Sequence, residues 1–118
     1  MKIQKQSNII LAAIADEFCP PVKIIDAVTE IISWDIVEPN IYWEDDLECI
    51  ALEWECPVGY LTVNVYFDRM AMFQNLAGIR KNNFDVTMYE VYETCKEANN
   101  VFSKYDYAYL GDDDADNL

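Results

Sequence analysis

Two stretches of alternating residues, Glu48 to Glu55 and Tyr60 to Phe67, constrain the fold of this chain more than anything else in it. In the first, Ile50, Leu52 and Trp54 fall on one side of an extended backbone, and Cys49, Ala51, Glu53 and Glu55 on the other. In the second, Leu61, Val63, Val65 and Phe67 share one side and Tyr60, Thr62, Asn64 and Tyr66 the opposite one. A period of two marks a strand with one buried face, because successive side chains leave an extended backbone in opposite directions. Cys56-Pro57-Val58-Gly59 stands between the stretches and supplies turn chemistry, so the pair reads as a β-hairpin. Its outward face is acidic and rich in tyrosine.

Stripes and breakers place the other elements around this hairpin. Ser7 is expected to cap a helix over 8–18, with Ile10, Leu11, Ile14 and Phe18 as its apolar stripe. Cys19-Pro20-Pro21 ends it, and proline in a first turn opens a second helix over 21–33. Val22, Ile25, Val28, Ile31 and Ile32 form that helix's buried side. After a connector at 34–38, a short strand over 41–44 leads through the acidic turn Asp45-Asp46-Leu47 into the hairpin. A weaker fourth strand spans 70–76, turning either Met70 and Met72 or Ala71 and Phe73 to the core, and 77–83 reads as a loop. Asp85 is expected to cap a final helix, with Phe84 stapled to Tyr89. Met88, Val91, Tyr92, Cys95, Ala98 and Phe102 make one helical stripe, which is expected to cover the apolar face of the hairpin. Residues 105–110 trail behind it, and 111–118 form a disordered acidic tail. The fold class expected is therefore α+β: two N-terminal helices, a four-stranded antiparallel β-meander and one C-terminal helix packed on the sheet, in a single domain over 1–110. A 53% hydrophobic content is ample for such a core.

Charge narrows the function. The 118 residues hold 22 acids, 8 bases and no histidine, for a net charge of -14. Such a chain is repelled by nucleic-acid phosphates and anionic membranes and attracted to cationic surfaces, which are mostly proteins. Between Lys23 and Arg69 there is no base, so the hairpin region is the acidic pole.

Sites for chemistry are sparse. Without histidine the commonest general base is missing, and with it the usual serine and cysteine nucleophile pairings. Gly59, Gly78 and Gly111 lie too far apart for a phosphate-cradling loop. The four cysteines, Cys19, Cys49, Cys56 and Cys95, form no C-x-x-C pair, so neither a structural metal nor any cofactor is expected. Cys49 and Cys56 are an odd number of residues apart and face opposite sides of a regular strand, so all four are read as reduced thiols of a cytoplasmic protein. Asp112, Asp114 and Asp116 alternate like the start of a calcium loop, but the glycine and the closing glutamate are missing. Lys2 and Lys5 precede the apolar run 9–15, which is short for a signal peptide, and no run approaches the ~18 apolar residues of a membrane span.

The acidic, aromatic surface of the hairpin is the one constellation that suggests a function. Glu44, Asp45, Asp46, Glu48, Glu53, Glu55, Tyr60 and Tyr66 are the expected partner-binding residues, on one sheet face or its rim, with Tyr42 or Trp43, Thr62 and Asn64 beside them. Carboxylates held on a rigid sheet present negative charge much as a phosphate backbone does, and tyrosine is enriched in interfaces. In size, charge and lack of motif the chain resembles the small acidic proteins with which phages block host defences, anti-CRISPR and DNA-mimic proteins among them. That resemblance implies a non-enzymatic inhibitor that sequesters a basic, nucleic-acid-binding protein, without contacting nucleic acid or membrane itself. An immunity protein or antitoxin against a cationic toxin would have the same composition. A third reading is an assembly subunit whose charge serves solubility, self-associating as a homodimer through the final helix or the fourth-strand edge.

Overall fold

The computed structural model describes residues 6–117, with side chains described for 6–105. Among these residues the chain forms α1 (Gln6–Phe18), α2 (Val22–Ile32), β1 (Asn40–Glu44), β2 (Cys49–Cys56), β3 (Gly59–Val65), β4 (Met70–Leu76), β5 (Ile79–Asn83) and α3 (Met88–Asn117). The strands make one antiparallel sheet in the order β1-β2-β3-β4-β5, so each lies beside its sequence neighbours. The class is α+β, with a meander at its centre.

Register shows which side chains share a face. Ile41 pairs with Leu52, Leu52 with Val63, and Val63 with Met72 across four strands, while Ile50 faces Val65 and Trp54 faces Leu61. These residues join one apolar cluster with Leu11 and Ile14 of α1, Ile24, Val28, Ile31 and Ile32 of α2, and Val91, Cys95, Ala98 and Phe102 of α3. All three helices therefore pack on the same face of the sheet. Leu61, Val63 and Val65 are buried while Thr62 and Asn64 are only half-buried, as the alternation of β3 requires. The connector after α2 is tied into this layer. Trp54 Nε1 donates to the Val37 carbonyl at 2.7 Å, the Val37 amide donates to Asn99 Oδ1 at 2.9 Å, and Trp34 meets Tyr92 edge-on.

The sheet has five strands rather than four. Residues 77–83, expected as a loop, form a tight turn and then β5. Ala77 and Gly78 have φ of 51° and 85°, the consecutive left-handed pair of a two-residue hairpin whose twist matches that of the strands. Ile-Arg-Lys-Asn-Asn is exposed along its whole length. With no buried face it has no alternation to read; backbone pairing with β4 holds it, from Met72–Asn83 to Leu76–Ile79.

Several local expectations are also corrected. Ser7 lies inside α1 rather than capping it, and its amide donates to Glu38 Oε1 at 2.9 Å. In α2 the buried stripe is Ile24, Val28, Ile31 and Ile32, and Val22 points outward because it falls about 200° round the helix from Ile24 at 3.6 residues per turn. Phe67 lies past the end of β3 in a turn and is exposed. Thr87, not Asp85, caps α3: its hydroxyl accepts from the Glu90 amide at 3.1 Å, and Glu90 Oε1 accepts from the Thr87 amide at 2.9 Å. This reciprocal capping box satisfies two amides that the first turn would leave unpaired. Phe84 packs edge-on against Phe73 instead of stapling to Tyr89; buried Val86 and Val91 occupy the staple positions on either side of the cap. The segment 111–118, expected as a disordered tail, lies outside the residues whose side chains are described, and the backbone of α3 extends through Asn117.

Candidate binding surface

With the helices on one side, the described residues leave the other face of the sheet open. Strand pairing places its side chains in rows. Tyr42, Ala51, Asn64 and Ala71 form one row; Asn40, Glu53, Thr62, Phe73 and Asn82 the next; Glu55, Tyr60, Asn75 and Arg80 a third. Cys49, Ala51 and Ala71 are buried on this helix-free face. The sequence places Cys49 and Ala51 on the outward face and keeps Ala71 open between the two faces. Small side chains on a face without helices become inaccessible when larger neighbours lean over them, and Tyr42, Tyr66 and Phe73 are the large ones on hand.

Glu53, Glu55, Tyr60 and Thr62 line a shallow depression of ≈ 210 Å³. The register forces them together, since Glu53 is opposite Thr62 and Glu55 opposite Tyr60. The strand repeat sets the Glu53 and Glu55 backbones about 7 Å apart, twice the ~3.4 Å rise of a single DNA strand per phosphate. Tyr42 reaches across from β1, and its hydroxyl donates to Glu53 Oε2 at 3.0 Å. Burial first, and then this hydrogen bond, push the Tyr42 hydroxyl from 10.0 up to about 12. It stays a neutral donor and holds the Glu53 carboxylate in place.

The other expected residues lie elsewhere. Glu44 is on the open face at the far end of the strands, opposite Cys49. Burial, assisted by Glu44, pushes the Cys49 thiol from 9.0 up to about 11, with the adjacent Tyr66 hydroxyl pulling the other way. Tyr66 in turn lies under the Arg69 guanidinium, 4.8 Å from its ring centroid. Asp45, Asp46 and Glu48 are in the β1–β2 turn, at the end of the sheet rather than on its face. The eight residues therefore form two groups, one around Glu53 and Glu55 and one around the β1–β2 turn. About 20 Å of strand separates them at ~3.3 Å per residue.

The sequence offers Tyr42 or Trp43 for this surface without choosing between them, and its periodicity gives no sign of Phe84 or Arg80 there. Tyr42 sits in a strand too short to show alternation, and Arg80 in one with no apolar side. Arg80 also gives the face a gradient. Its row begins with Glu55 on β2 and ends with Arg80 on β5, three strand spacings or ~14 Å away. The β1–β2 half is thus acidic and the β5 edge basic.

Among the described residues, no group of three or more His, Cys, Asp or Glu side chains is placed to hold a metal ion. No helix among them is long and apolar enough to cross a membrane. Cys19, Cys49, Cys56 and Cys95 are all free thiols. Compared with protein-family models, with curated proteins and with solved structures, the chain matches none.

Proposed function

We propose that this chain is a non-enzymatic binding protein that sets the acidic half of its open sheet face into the basic groove of a nucleic-acid-binding protein, in the manner of a DNA mimic. One observation carries the reading: the helices pack on the opposite face, so Glu53, Glu55, Tyr42 and Tyr60 remain presented on a rigid sheet. β1, β2 and β3 contain no lysine or arginine to neutralise them. A rigid sheet loses little entropy on binding, and rings beside carboxylates give the contact area that charge alone lacks. An antitoxin against a cationic nuclease would use the same face and the same chemistry.

The test is charge reversal. A partner captured at low salt is titrated with the wild type and with Glu53→Lys/Glu55→Lys at two salt concentrations. Wild-type affinity is expected to fall with salt, because exposed charges are screened over roughly 8–10 Å at physiological ionic strength. The variant is expected to bind more weakly, chiefly through slower association, since steering acts before contact. Affinity indifferent to both salt and charge reversal refutes the reading.

A second reading, self-assembly, has one observation in its favour. β5 pairs only with β4, which leaves a row of backbone donors and acceptors along its outer edge. Arg80 and Lys81 on that edge oppose pairing with a second copy. Sedimentation of the wild type and of a proline variant at Asn82, whose N–H faces away from β4, separates the two readings.

A further inference from the structure

The end of the sheet at the β1–β2 turn carries a feature that the open face does not. Four large apolar side chains from three different turns are exposed there: Phe18 (43%) and Val22 (72%) at the α1–α2 corner, Leu47 (52%) in the β1–β2 turn, and Phe67 (60%) after β3. Two contacts bring these turns together. Phe18 stacks on Trp43 with ring centroids 5.9 Å apart, and Lys23 Nζ lies 5.8 Å from the Phe67 centroid. The turns themselves are neighbours, because Tyr66, just before Phe67, lies against Cys49, just after the β1–β2 turn.

Folding does not explain this patch. Turns favour Gly, Asn, Asp and Ser, and a solvated leucine or phenylalanine there adds little to the core. The two phenylalanines alone expose roughly 200 Å² at 150–250 Å² per buried ring, and apolar patches of roughly 300–600 Å² on monomers are often functional. Around the patch stand Asp45, Asp46, Glu48 and Asp68. Its bases, Lys23 and Arg69, each lie over an aromatic ring. An apolar centre inside a charged rim is the anatomy of a protein interface. The ends of the described side chains do not reach it. Ser7 bonds to Glu38, and Tyr105 lines a pocket with Val37, Asn40 and Cys56, all at the opposite end of the strands. A second copy would bring the same carboxylates against these.

We infer that this corner is a docking site for a cationic amphipathic helix, whose apolar stripe covers Phe18, Val22, Leu47 and Phe67 while its flanking lysines or arginines meet Asp45, Asp46, Glu48 and Asp68. The inference rests on the reading that the partner is a basic protein, and adds where that partner is anchored. Helix-in-groove recognition places apolar anchors at i, i+3, i+4 and i+7, with charge on the flanks.

The probe is a synthetic peptide of about 18 residues with leucine on one helical face and lysine on the other, titrated into isotope-labelled protein. Two control peptides carry serine for leucine and glutamate for lysine. Amide shifts are expected at 16–23, 45–48 and 66–69. Leu47→Ser and Phe67→Ser, both at exposed turn positions, are expected to weaken binding roughly tenfold each, the effect of losing one anchor. Both control peptides are expected to bind at least about tenfold more weakly than the parent, and Glu53→Lys/Glu55→Lys to change the affinity less than about threefold. Leu47→Ser alone decides the matter if Phe67→Ser lowers the melting temperature. Shifts centred on 53–62 overturn the inference and leave the open-face reading standing. Equal binding of the serine peptide, or no binding of the parent, also overturns it. If the corner variants lose the peptide while charge reversal at Glu53 and Glu55 leaves the captured partner's affinity intact, the corner stands and groove occupancy falls.

Discussion

Gly59→Ala tests how tightly the β2–β3 hairpin, and with it the acidic depression, is built. Gly59 has φ of 140°, a conformation that L side chains avoid. A β-carbon added there would stand 1.9 Å from the Asn75 carbonyl oxygen and 2.8 Å from the Leu76 Cα, both backbone atoms of β4. Because no side-chain rotation relieves this overlap, β3 and β4 must separate where Gly59 pairs with Leu76. Holding the strained dihedral costs about 1–3 kcal/mol, and opening the packed strands about 1–3 kcal/mol more. A loss of about 2–6 kcal/mol is a large part of the ~5–15 kcal/mol that stabilises a typical domain. Gly78→Ala is the matched control. Gly78 has φ of 85°, but its β-carbon would meet nothing within 4 Å. Its expected cost is therefore the backbone term alone, about 1–2 kcal/mol. Urea unfolding followed by tryptophan fluorescence should lower the midpoint by about 1–3 M for Gly59→Ala, at ~2 kcal/mol per molar, and by about a third to a half as much for Gly78→Ala. Equal shifts would refute the close approach of β3 to β4.

Four further outcomes follow from local geometry. Thr87→Ala should cost about 1 kcal/mol in urea unfolding, because it removes the cap on α3, whereas Asp85→Ala should change little. Thiol alkylation at pH 9 should label exposed Cys19 quickly and leave Cys95 unreacted until denaturant is added, since burial pushes the Cys95 thiol from 9.0 up to about 12. The raised Cys95 value also means that its contribution to stability is complete below about pH 9 and is lost as the pH rises towards 12, so Cys95→Ala should flatten the alkaline arm of the stability profile. In an ultraviolet titration Tyr42 should ionise near 12, and Glu53→Ala should lower that value only part of the way towards 10.0, since burial is the larger cause and remains; an unchanged value would mean that the hydrogen bond is not made in solution.

The parts of the fold that alternate were legible in the sequence. Ile50, Leu52 and Trp54 with Leu61, Val63 and Val65 declare one buried face, and Val91, Cys95, Ala98 and Phe102 declare the helix that covers it. What escaped was set by backbone conformation or by tertiary packing. β5 has no apolar period, and Ala77-Gly78 is a weaker turn signal than Asn-Gly, although both residues adopt the same left-handed turn. In α2 either Val22 or Ile24 could lead into the shared stripe of Val28, Ile31 and Ile32, and tertiary packing selects Ile24. For α3 the signal was present, since Thr87 and Glu90 have the spacing of a capping box, but Asp85 competed for the role. At the surface, period two placed Glu53, Glu55 and Tyr60 together. It could not show that Glu48, with φ of 52°, belongs to a turn beyond the sheet face. Nor could it show that all three helices choose one side, because Cys49, Ala51 and Ala71 would suit a helix-covered face equally well.

Competition with nucleic acid tests the central claim most directly. The captured partner is saturated with labelled duplex DNA or RNA, and this chain is titrated in at constant salt. If its acidic face occupies the groove, the nucleic acid is released as the protein binds, and raising the nucleic-acid concentration lowers the protein's apparent affinity in proportion. A ternary complex, with protein and nucleic acid bound together at full affinity, would contradict the account.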